Sequence, residues 1–453
     1  MSFKPYPKYK DSGVEWLGEV PEGWEVKPLK HLAGIDSCGC YGMDPEEGGE
    51  VLRVATTAQI DPSGRFDVDR MPERGFSAAE VSRYGCSAGD ILVVKSSGSA
   101  TNIISGKAGL VDEATPRFIF SNFLMRVRPL VGAADPRFIY ALLRSNLTRQ
   151  RVELMCSTTT YPNLQIGEYV SAPLPVPPVE EQSSIASFLD HETSKIDNLI
   201  KEQEKLIELL KEKRSAVISH AVTKGLNSNV KMKDSGVEWL GKVPEHWEVI
   251  KLGRIATTKG GAGFPDKHQG QTEEELPFFK VGDISGSDPD GVMRRPNHTI
   301  SRETAQILRA TVFESGTIVF AKVGAALLLQ RYRRLGQPSC IDNNMMGMSA
   351  GKSVIPDFLL SVLPLLDLKT IVNPGAVPSV NESQISSQKV PLPPLIEQQE
   401  IAEKLKHLNA KTDALIEEAE SVINLLQERR SALISAAVAG QIDVRDFVPS
   451  KAA

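Results

Sequence analysis

Lys10 to Lys30 reads KDSGVEWLGEVPEGWEVKPLK, and Lys233 to Gly253 reads KDSGVEWLGKVPEHWEVIKLG; sixteen of the 21 aligned positions are identical, at an offset of 223. All four tryptophans, Trp16, Trp24, Trp239 and Trp247, lie inside this repeat. A second repeat closes each half. Pro175 opens PVPPVEEQSSIASFLDHETSKIDNLI, and Pro391 opens PLPPLIEQQEIAEKLKHLNAKTDALI, now at an offset of 216. Both run on to a basic end, EKRSAVISHAV from Glu212 and ERRSALISAAV from Glu428. Two ordered repeats of this quality mean a duplicated frame.

Between the repeats lie two segments, 30–172 and 253–389, that share only a skeleton. Gly89 to Lys95 (GDILVVK) aligns with Gly316 to Lys322 (GTIVFAK), and Asp135 to Ile139 (DPRFI) with Ile355 to Leu359 (IPDFL). The natural reading is one fold carrying two different surfaces. A repeated frame offers equivalent faces to two copies of one partner, while different payloads contact different things. The expected organisation is a frame segment (1–29), a first globular domain (30–172), a helix (173–222), and a linker with the second frame segment (223–252). A second domain (253–389), a second helix (390–438) and a tail (439–453) follow. The tryptophans are expected to be mainly structural, fastening each frame segment.

The stretches Val179 to Val222 and Leu395 to Val438 read as long helices. Leu189, Ile196, Leu210 and Val217 fall on one seven-residue repeat, with Gln203 as its polar interruption, and Leu199 and Leu206 on a second, three residues later. In the counterpart Leu405, Leu426 and Leu433 fall likewise, with Leu408, Leu415 and Val422 beside them. Sustained heptads predict a coiled coil. Pro177-Pro178 and Pro393-Pro394 precede the helices, where a missing N–H is harmless, and Gly225 and Gly440 follow as stops. About 44 residues at roughly 1.5 Å each give a helix of about 65 Å. Dimerisation between chains is one use of such helices. Two similar helices on one chain more simply pair with each other, antiparallel.

The intervening segments show short apolar runs broken by Gly, Pro and Asp. Asp90 to Lys95, Phe118 to Val127, Thr317 to Val323 and Pro277 to Val281 read as strands, with short helices at Phe138 to Leu147 and Phe358 to Leu366. The fold class is therefore α+β, with two mixed α/β domains joined by two long antiparallel helices and an internal pseudo-twofold repeat.

The chain has 453 residues, 41% hydrophobic and 24% charged, with a net charge of -5. That length exceeds one core. The balance is not that of a generic basic nucleic-acid coat, but it allows local basic loops on an acidic frame. Such loops are present. The first domain has Lys95, Asn102 and Lys107 within KSSGSATNIISGK, then Arg144, Arg149 and Arg151 within RSNLTRQR. The second has Arg294 and Arg295, Lys322, and Arg331, Arg333 and Arg334 within QRYRRLGQ. Arginine can bond guanine, asparagine and glutamine can bond adenine, and lysine neutralises phosphate. These twelve residues are the candidate DNA contacts.

Chemistry for catalysis is not apparent. There is no GxxxxGK[ST] phosphate loop, no Asn/Asp-Pro-Pro-aromatic motif and no methyltransferase cofactor loop. Lys95 and Lys322 each end a strand without the acidic residue two positions earlier that a common nuclease core would need. The seven histidines show no ligand spacing, and the five cysteines (Cys38, Cys40, Cys86, Cys156 and Cys340) form no CxxC pair, so free thiols and no metal are expected. No apolar run suggests a leader or a membrane span, so the expected location is the cytoplasm.

Taken together, Pro173 to Gln182, Val390 to Gln398, and the SGVEWLGxVPExWE pieces at Ser12 to Glu25 and Ser235 to Glu248 resemble the specificity subunits of type I restriction-modification enzymes. The resemblance covers essentially the whole chain. It implies two target recognition domains, each reading half of a bipartite double-stranded DNA site. It also implies two bound modification (methyltransferase) subunits, joined by restriction subunits. S-adenosylmethionine, ATP and magnesium would belong to those partners, and no cofactor to this chain. A different class, a coiled-coil scaffold presenting two protein-binding domains, is the rival reading; the basic, Asn/Gln-bearing loops favour DNA. A fused enzyme with unrecognised residues is a second rival, weakened by the missing cofactor and metal motifs.

Overall fold

The computed structural model describes residues 4–61, 63–96, 98–99, 102–156, 163–288, 290–366, 368–373 and 377–447. The chain divides into two units, one made of Met1–Glu204 with Glu420–Ala453 and the other of Lys205–Ala419. Each unit therefore holds one globular domain, the beginning of the long helix that follows it, and the end of the other long helix.

In the first unit the chain enters the domain on strand Glu25–Pro28 and leaves it on Pro173–Val176, and these two strands pair antiparallel with Pro28 opposite Pro173. In the second unit Glu248–Lys251 and Lys389–Leu392 do the same, with Lys251 opposite Lys389. Each domain is thus an insertion between two neighbouring strands of the frame.

The first domain contains an antiparallel sheet in the order Ala108–Leu110, Ile91–Val94, Leu124–Pro129, Ala33–Asp36. A three-stranded sheet runs Phe118–Phe120, Glu50–Ala55, Glu73–Phe76, its first pair parallel. The second domain repeats this topology strand for strand. Arg333–Leu335, Ile318–Ala321, Met345–Ala350 and Ala256–Gly260 form the larger sheet, and Cys340–Ile341, Leu276–Phe279 and Thr299–Ile300 the smaller, again with one parallel pair. Val292–Met293 adds a fifth, parallel edge strand beside Arg333–Leu335.

The continuous apolar runs at the centres of these sheets reflect burial on both faces. Ile91 and Val93 pack with Phe138, Ile139 and Leu142 of helix Pro136–Arg144, while Leu92 and Val94 pack with Phe118 and Phe120 of the smaller sheet. Ile318 and Phe320 face Phe358 and Leu359 of helix Pro356–Val362, and Val319 and Ala321 face Phe279 and Ile341. One expected strand is corrected. The run Phe118 to Val127 is two strands in different sheets, because the chain turns at 121–123, where the Leu124 amide bonds the Ser121 carbonyl at 3.1 Å.

The long helices span Val179–Lys224 and Leu395–Val438. They run antiparallel: Arg430 pairs with Asp197 at 3.0 Å in the first unit, and Arg214 with Asp413 at 2.5 Å in the second, in one common register. Leu189, Ile196 and Leu405 are buried, and Leu210, Val217, Leu408, Val422, Leu426 and Leu433 half-buried. Three expected seam residues are corrected. Leu199 and Leu206 are 45% and 43% exposed and Leu415 is 40% exposed. In the first helix the seam passes instead through Ile200 and Ile207, both half-buried, four residues after Ile196 and Gln203. In the second it passes through Thr412, Ile416 and Ala419, all buried. The two consecutive four-residue steps, 408 to 412 to 416, form a stutter that rotates the apolar face away from Leu415.

Candidate nucleic-acid interface

The repeated sequence builds a fastening that sets each domain on its helix. Glu181 Oε1 accepts from the Trp24 indole Nε1–H at 2.9 Å and from the Tyr6 hydroxyl at 2.6 Å. Burial and then the bond to Glu181 push the Tyr6 hydroxyl far above its usual value. In the second unit Glu397 Oε2 accepts from Trp247 Nε1–H at 2.8 Å, and its Oε1 lies 2.6 Å from His246 Nε2.

The next residue in each repeat, Gln182 or Gln398, is buried. Gln182 Oε1 accepts from the Asp135 amide at 2.9 Å, and its Nε2 donates to the Pro177 carbonyl at 2.9 Å. Gln398 Oε1 accepts from the Ile355 amide at 2.8 Å, and its Nε2 donates to the carbonyls of Pro393 (2.8 Å) and Ser353 (3.0 Å). A buried glutamine with both ends satisfied fixes an angle as well as a contact. The repeated Glu-Gln pair is therefore a hinge pin between helix and domain. Its reading was within reach, since the dipeptide recurs in both copies, four and five residues after each Pro-Pro pair's first proline.

The helix ends complete the fastening. Gly225 and Gly440 have φ of +78° and +71°, where only glycine is unstrained. A Cβ on Gly225 would stand 3.2 Å from the Trp247 ring, and one on Gly440 2.5 Å from Pro21 and 3.2 Å from the Trp24 ring. Each buried tryptophan thus holds the start of one long helix by donating its indole N–H to a glutamate there, and lies with its six-membered ring against the glycine that ends the other.

With the frame accounted for, the candidate cations sort by what they touch. In the first domain most turn inward. Lys95 Nζ donates to the Ser37 carbonyl at 2.8 Å, and Lys107 Nζ to that of Ile60. Burial lowers the affinity of Lys107 for its proton, with Asp61 working the other way. Arg144 lies over the Tyr140 ring and donates to the Tyr140 hydroxyl and the Ser63 carbonyl, each at 2.5 Å. Arg149 donates to the carbonyls of Ser105, at 2.5 Å, and Ile103. Arg151 lies 5.3 Å from the Trp16 ring centroid. The Asn102 side chain lies outside the described residues. Part of the donor set of Lys107, Arg144 and Arg149 therefore faces inward, onto loop carbonyls. A domain of short strands leaves many carbonyls without a ladder partner, and long cationic side chains satisfy them.

The second domain differs. Arg294 is neutralised by Asp288 (2.8 Å) and Asp290 (2.6 Å), and Arg334 by Asp357. Lys322 Nζ would stand 2.8 Å from a Cβ on Gly260, so it packs against that strand. Arg295 projects outward, 88% exposed, with Asp288 3.9 Å away. Arg331 Nη1 donates to Ser285 Oγ at 2.7 Å and Arg333 Nε to Ser287 Oγ at 2.6 Å. Sequence reasoning missed these two serines, since serine in a loop carries no distinguishing signal. In the first domain it also missed the half-exposed pair in which Arg74 lies 4.8 Å from the Tyr41 ring centroid.

The frame residues and domain boundaries have counterparts in known proteins. Residues 21–209 and 244–425 match the family described as type I restriction modification DNA specificity domain. The chain belongs to this family. The two matched regions coincide with the duplication, each spanning a domain and most of the long helix that follows it. A specificity-subunit relative, assigned as the type I restriction enzyme MjaX specificity subunit of Methanocaldococcus jannaschii, is 25% identical over 449 residues, covering 95% of this chain and 96% of its own. The type I restriction enzyme EcoKI specificity subunit of Escherichia coli is 20% identical over 448 residues, 94% of this chain and 90% of its own. Among solved structures, a chain from work on complex assembly and conformational transition of the type I R-M system superposes with a TM-score of 0.70. It has 16% identity over 92% of this chain and 98% of that one. The HsdS subunit from Thermoanaerobacter tengcongensis gives a TM-score of 0.51 and 17% identity over 93% of this chain and 98% of that one. At those identities the structural likeness speaks for the specificity-subunit fold alone.

Proposed function

We propose that this chain is the DNA-reading subunit of a type I restriction-modification complex, taking one half of an asymmetric, bipartite site with each domain. The observation that carries this reading is the repetition of the two-sheet core topology with divergent surfaces. Two domains hang on corresponding fastenings, Trp24–Glu181–Gln182 and Trp247–Glu397–Gln398, yet hold different cations at corresponding strands. Equal frames present two readers alike, and unequal surfaces read different sequences.

Catalysis is assigned to partners: methyl transfer from S-adenosylmethionine to modification subunits, and ATP- and magnesium-dependent cleavage to restriction subunits. The long helices carry apolar groups that suit such partners. In the first unit Leu199 and Leu425 (62% exposed) stand off the seam; in the second, Leu415 and Leu209 (51% exposed) do so. These are the same two positions of the repeat, one from each helix in each unit. Repeated exposed leucines fit two copies of one modification subunit.

The test is methylome sequencing of cells carrying this chain with its cognate modification subunit. Two unlike half-sites separated by a fixed unread gap are expected, and exchange of residues 253–389 should alter one of them only. A single short continuous palindrome would overturn the two-reader model.

A further inference from the structure

Arg331 and Arg333 stand two residues apart where strand Arg333–Leu335 begins, and both reach the turn Val281–Gly286 and the residue after it. Arg331 is held by Ser285 Oγ at 2.7 Å; Arg333 is held by Ser287 Oγ at 2.6 Å and by the Tyr332 carbonyl at 2.9 Å. Among the described residues neither guanidinium pairs with a carboxylate. Their neighbours are treated differently: Arg294 and Arg334 are each neutralised by aspartate. Two cations side by side, one of them half-buried, repel each other, and the Arg333 guanidinium holds its proton less tightly through burial and then the charge of Arg331.

The hydrogen-bond inventory says what would complete the group. Each serine hydroxyl accepts from an arginine and so keeps its own O–H to donate. The guanidiniums have further N–H groups in a planar fork. Apart from one lone pair on each hydroxyl, what remains is donors. Arg331 and Ser285 are exposed, and a Cβ on Gly286 would meet nothing within 4 Å, so the approach is open. A ligand made only of acceptors and carrying a full negative charge fits. A guanine edge supplies acceptors but no charge to offset the arginine pair.

The corresponding place in the first domain is built otherwise. Aligning the shared strands through Gly89 and Gly316 puts Lys107 where Arg331 stands and Gly109 where Arg333 stands. Lys107 is half-buried against the Ile60 carbonyl. A Cβ on Gly109 would lie 2.8 Å from the Phe66 ring and 3.0 Å from the Gly64 carbonyl, so that position leaves no room for a second long cation.

We infer that Arg331 and Arg333, steadied by Ser285 and Ser287, form a clamp for one backbone phosphodiester of the DNA bound by the second domain. The inference rests on the DNA reading proposed above. The clamp positions the domain on the duplex and reads no base.

The test uses the full chain with its modification subunit, and duplexes containing the methylated site, titrated at several salt concentrations. Loss of one phosphate contact should reduce the slope of log affinity against log salt by about 0.9. Between 50 and 200 mM salt, Arg331→Ala should therefore lose about 3.5-fold less affinity than the parent chain. Arg331→Lys should restore most of the slope, and the methylated sequence should stay unchanged in both variants. An unchanged salt slope in Arg331→Ala, with an unchanged melting curve, overturns the clamp. An altered half-site in the methylome of that variant also overturns it, making Arg331 a base reader. If the parent complex binds no DNA at any salt concentration, the DNA reading itself falls, and the clamp with it.

Discussion

Trp24 and Trp247 do the work of a joint because indole offers two unlike surfaces: an N–H donor, taken by Glu181 or Glu397, and an apolar six-membered ring, set against a helix-ending glycine. Trp247→Ala should cost about 3–5 kcal/mol, the usual range for a large buried aromatic, read as the shift of the denaturant midpoint. Trp239→Ala, at a half-buried position, should cost clearly less; equal losses would remove the joint model. A second residue-scale test is Asp135. Burial opposes its charge, but the Ser183 hydroxyl, the Arg137 amide and the Arg137 guanidinium together hold its carboxyl below the usual carboxylate range. It caps helix Pro136–Arg144 and bonds Ser183 on the long helix at 2.8 Å. A depressed carboxylate stabilises the fold above its unfolded-state value, about 3.9, and that contribution disappears as pH falls through the folded value. Asp135→Ala should therefore cost about 0.5–2 kcal/mol at neutral pH, and the gap to the parent chain should shrink as the solution is acidified below about pH 4. Chemical denaturation at a series of pH values would show it, and a gap independent of pH would refute the assignment.

The long helices show how far apolar periodicity carries an argument. The heptad of Leu189, Ile196, Leu210 and Val217 is legible because its members have no apolar competitor that fits the period better. Its companion is not, because Leu199-Ile200 and Leu206-Ile207 are doublets, and spacing alone permits either member to face inward. Packing decides for the isoleucines. In the second helix a strict seven-residue count runs straight through the stutter and lands on Leu415. The structure predicts that Leu415→Gln leaves the stability of the chain within about 0.5 kcal/mol of the parent. Ile416→Ala should cost about 2–5 kcal/mol. Reversed costs in a urea titration would mean that the seam runs through Leu415 after all. The same doublet logic explains why expected seam leucines are exposed instead. The strands were easier to locate, since Asp90 to Lys95 and Thr317 to Val323 are apolar on both faces. The basic loops were hardest: sequence shows a cation but not the carbonyl or aspartate it meets, and Lys107, Arg144 and Arg149 each bond carbonyls 44 to 81 residues away.

At the scale of the whole chain, the duplication was fully legible because both the tryptophan segments and the Glu-Gln helix starts are copied. What duplication could not show is how the copies share material. Neither unit is made from one half of the sequence. The first needs Ala437, Val438 and Gly440 from the far end of the chain, and the second needs Ala221, Val222 and Gly225 from the middle. The tail closes onto the beginning, with the Asp443 amide bonding the Lys4 carbonyl at 2.8 Å and Phe447 edge-on to Phe188 at 5.1 Å. Residues Leu226 to Asn229, which join the halves, are exposed, the kind of segment where a protease cuts. Covalent continuity at that point should be dispensable. A chain nicked there should elute from a sizing column as one particle, coming apart only when denaturant melts it, whereas either fragment made alone should be soluble poorly or not at all. Each piece is a lodger in a house whose other tenant supplies the last wall.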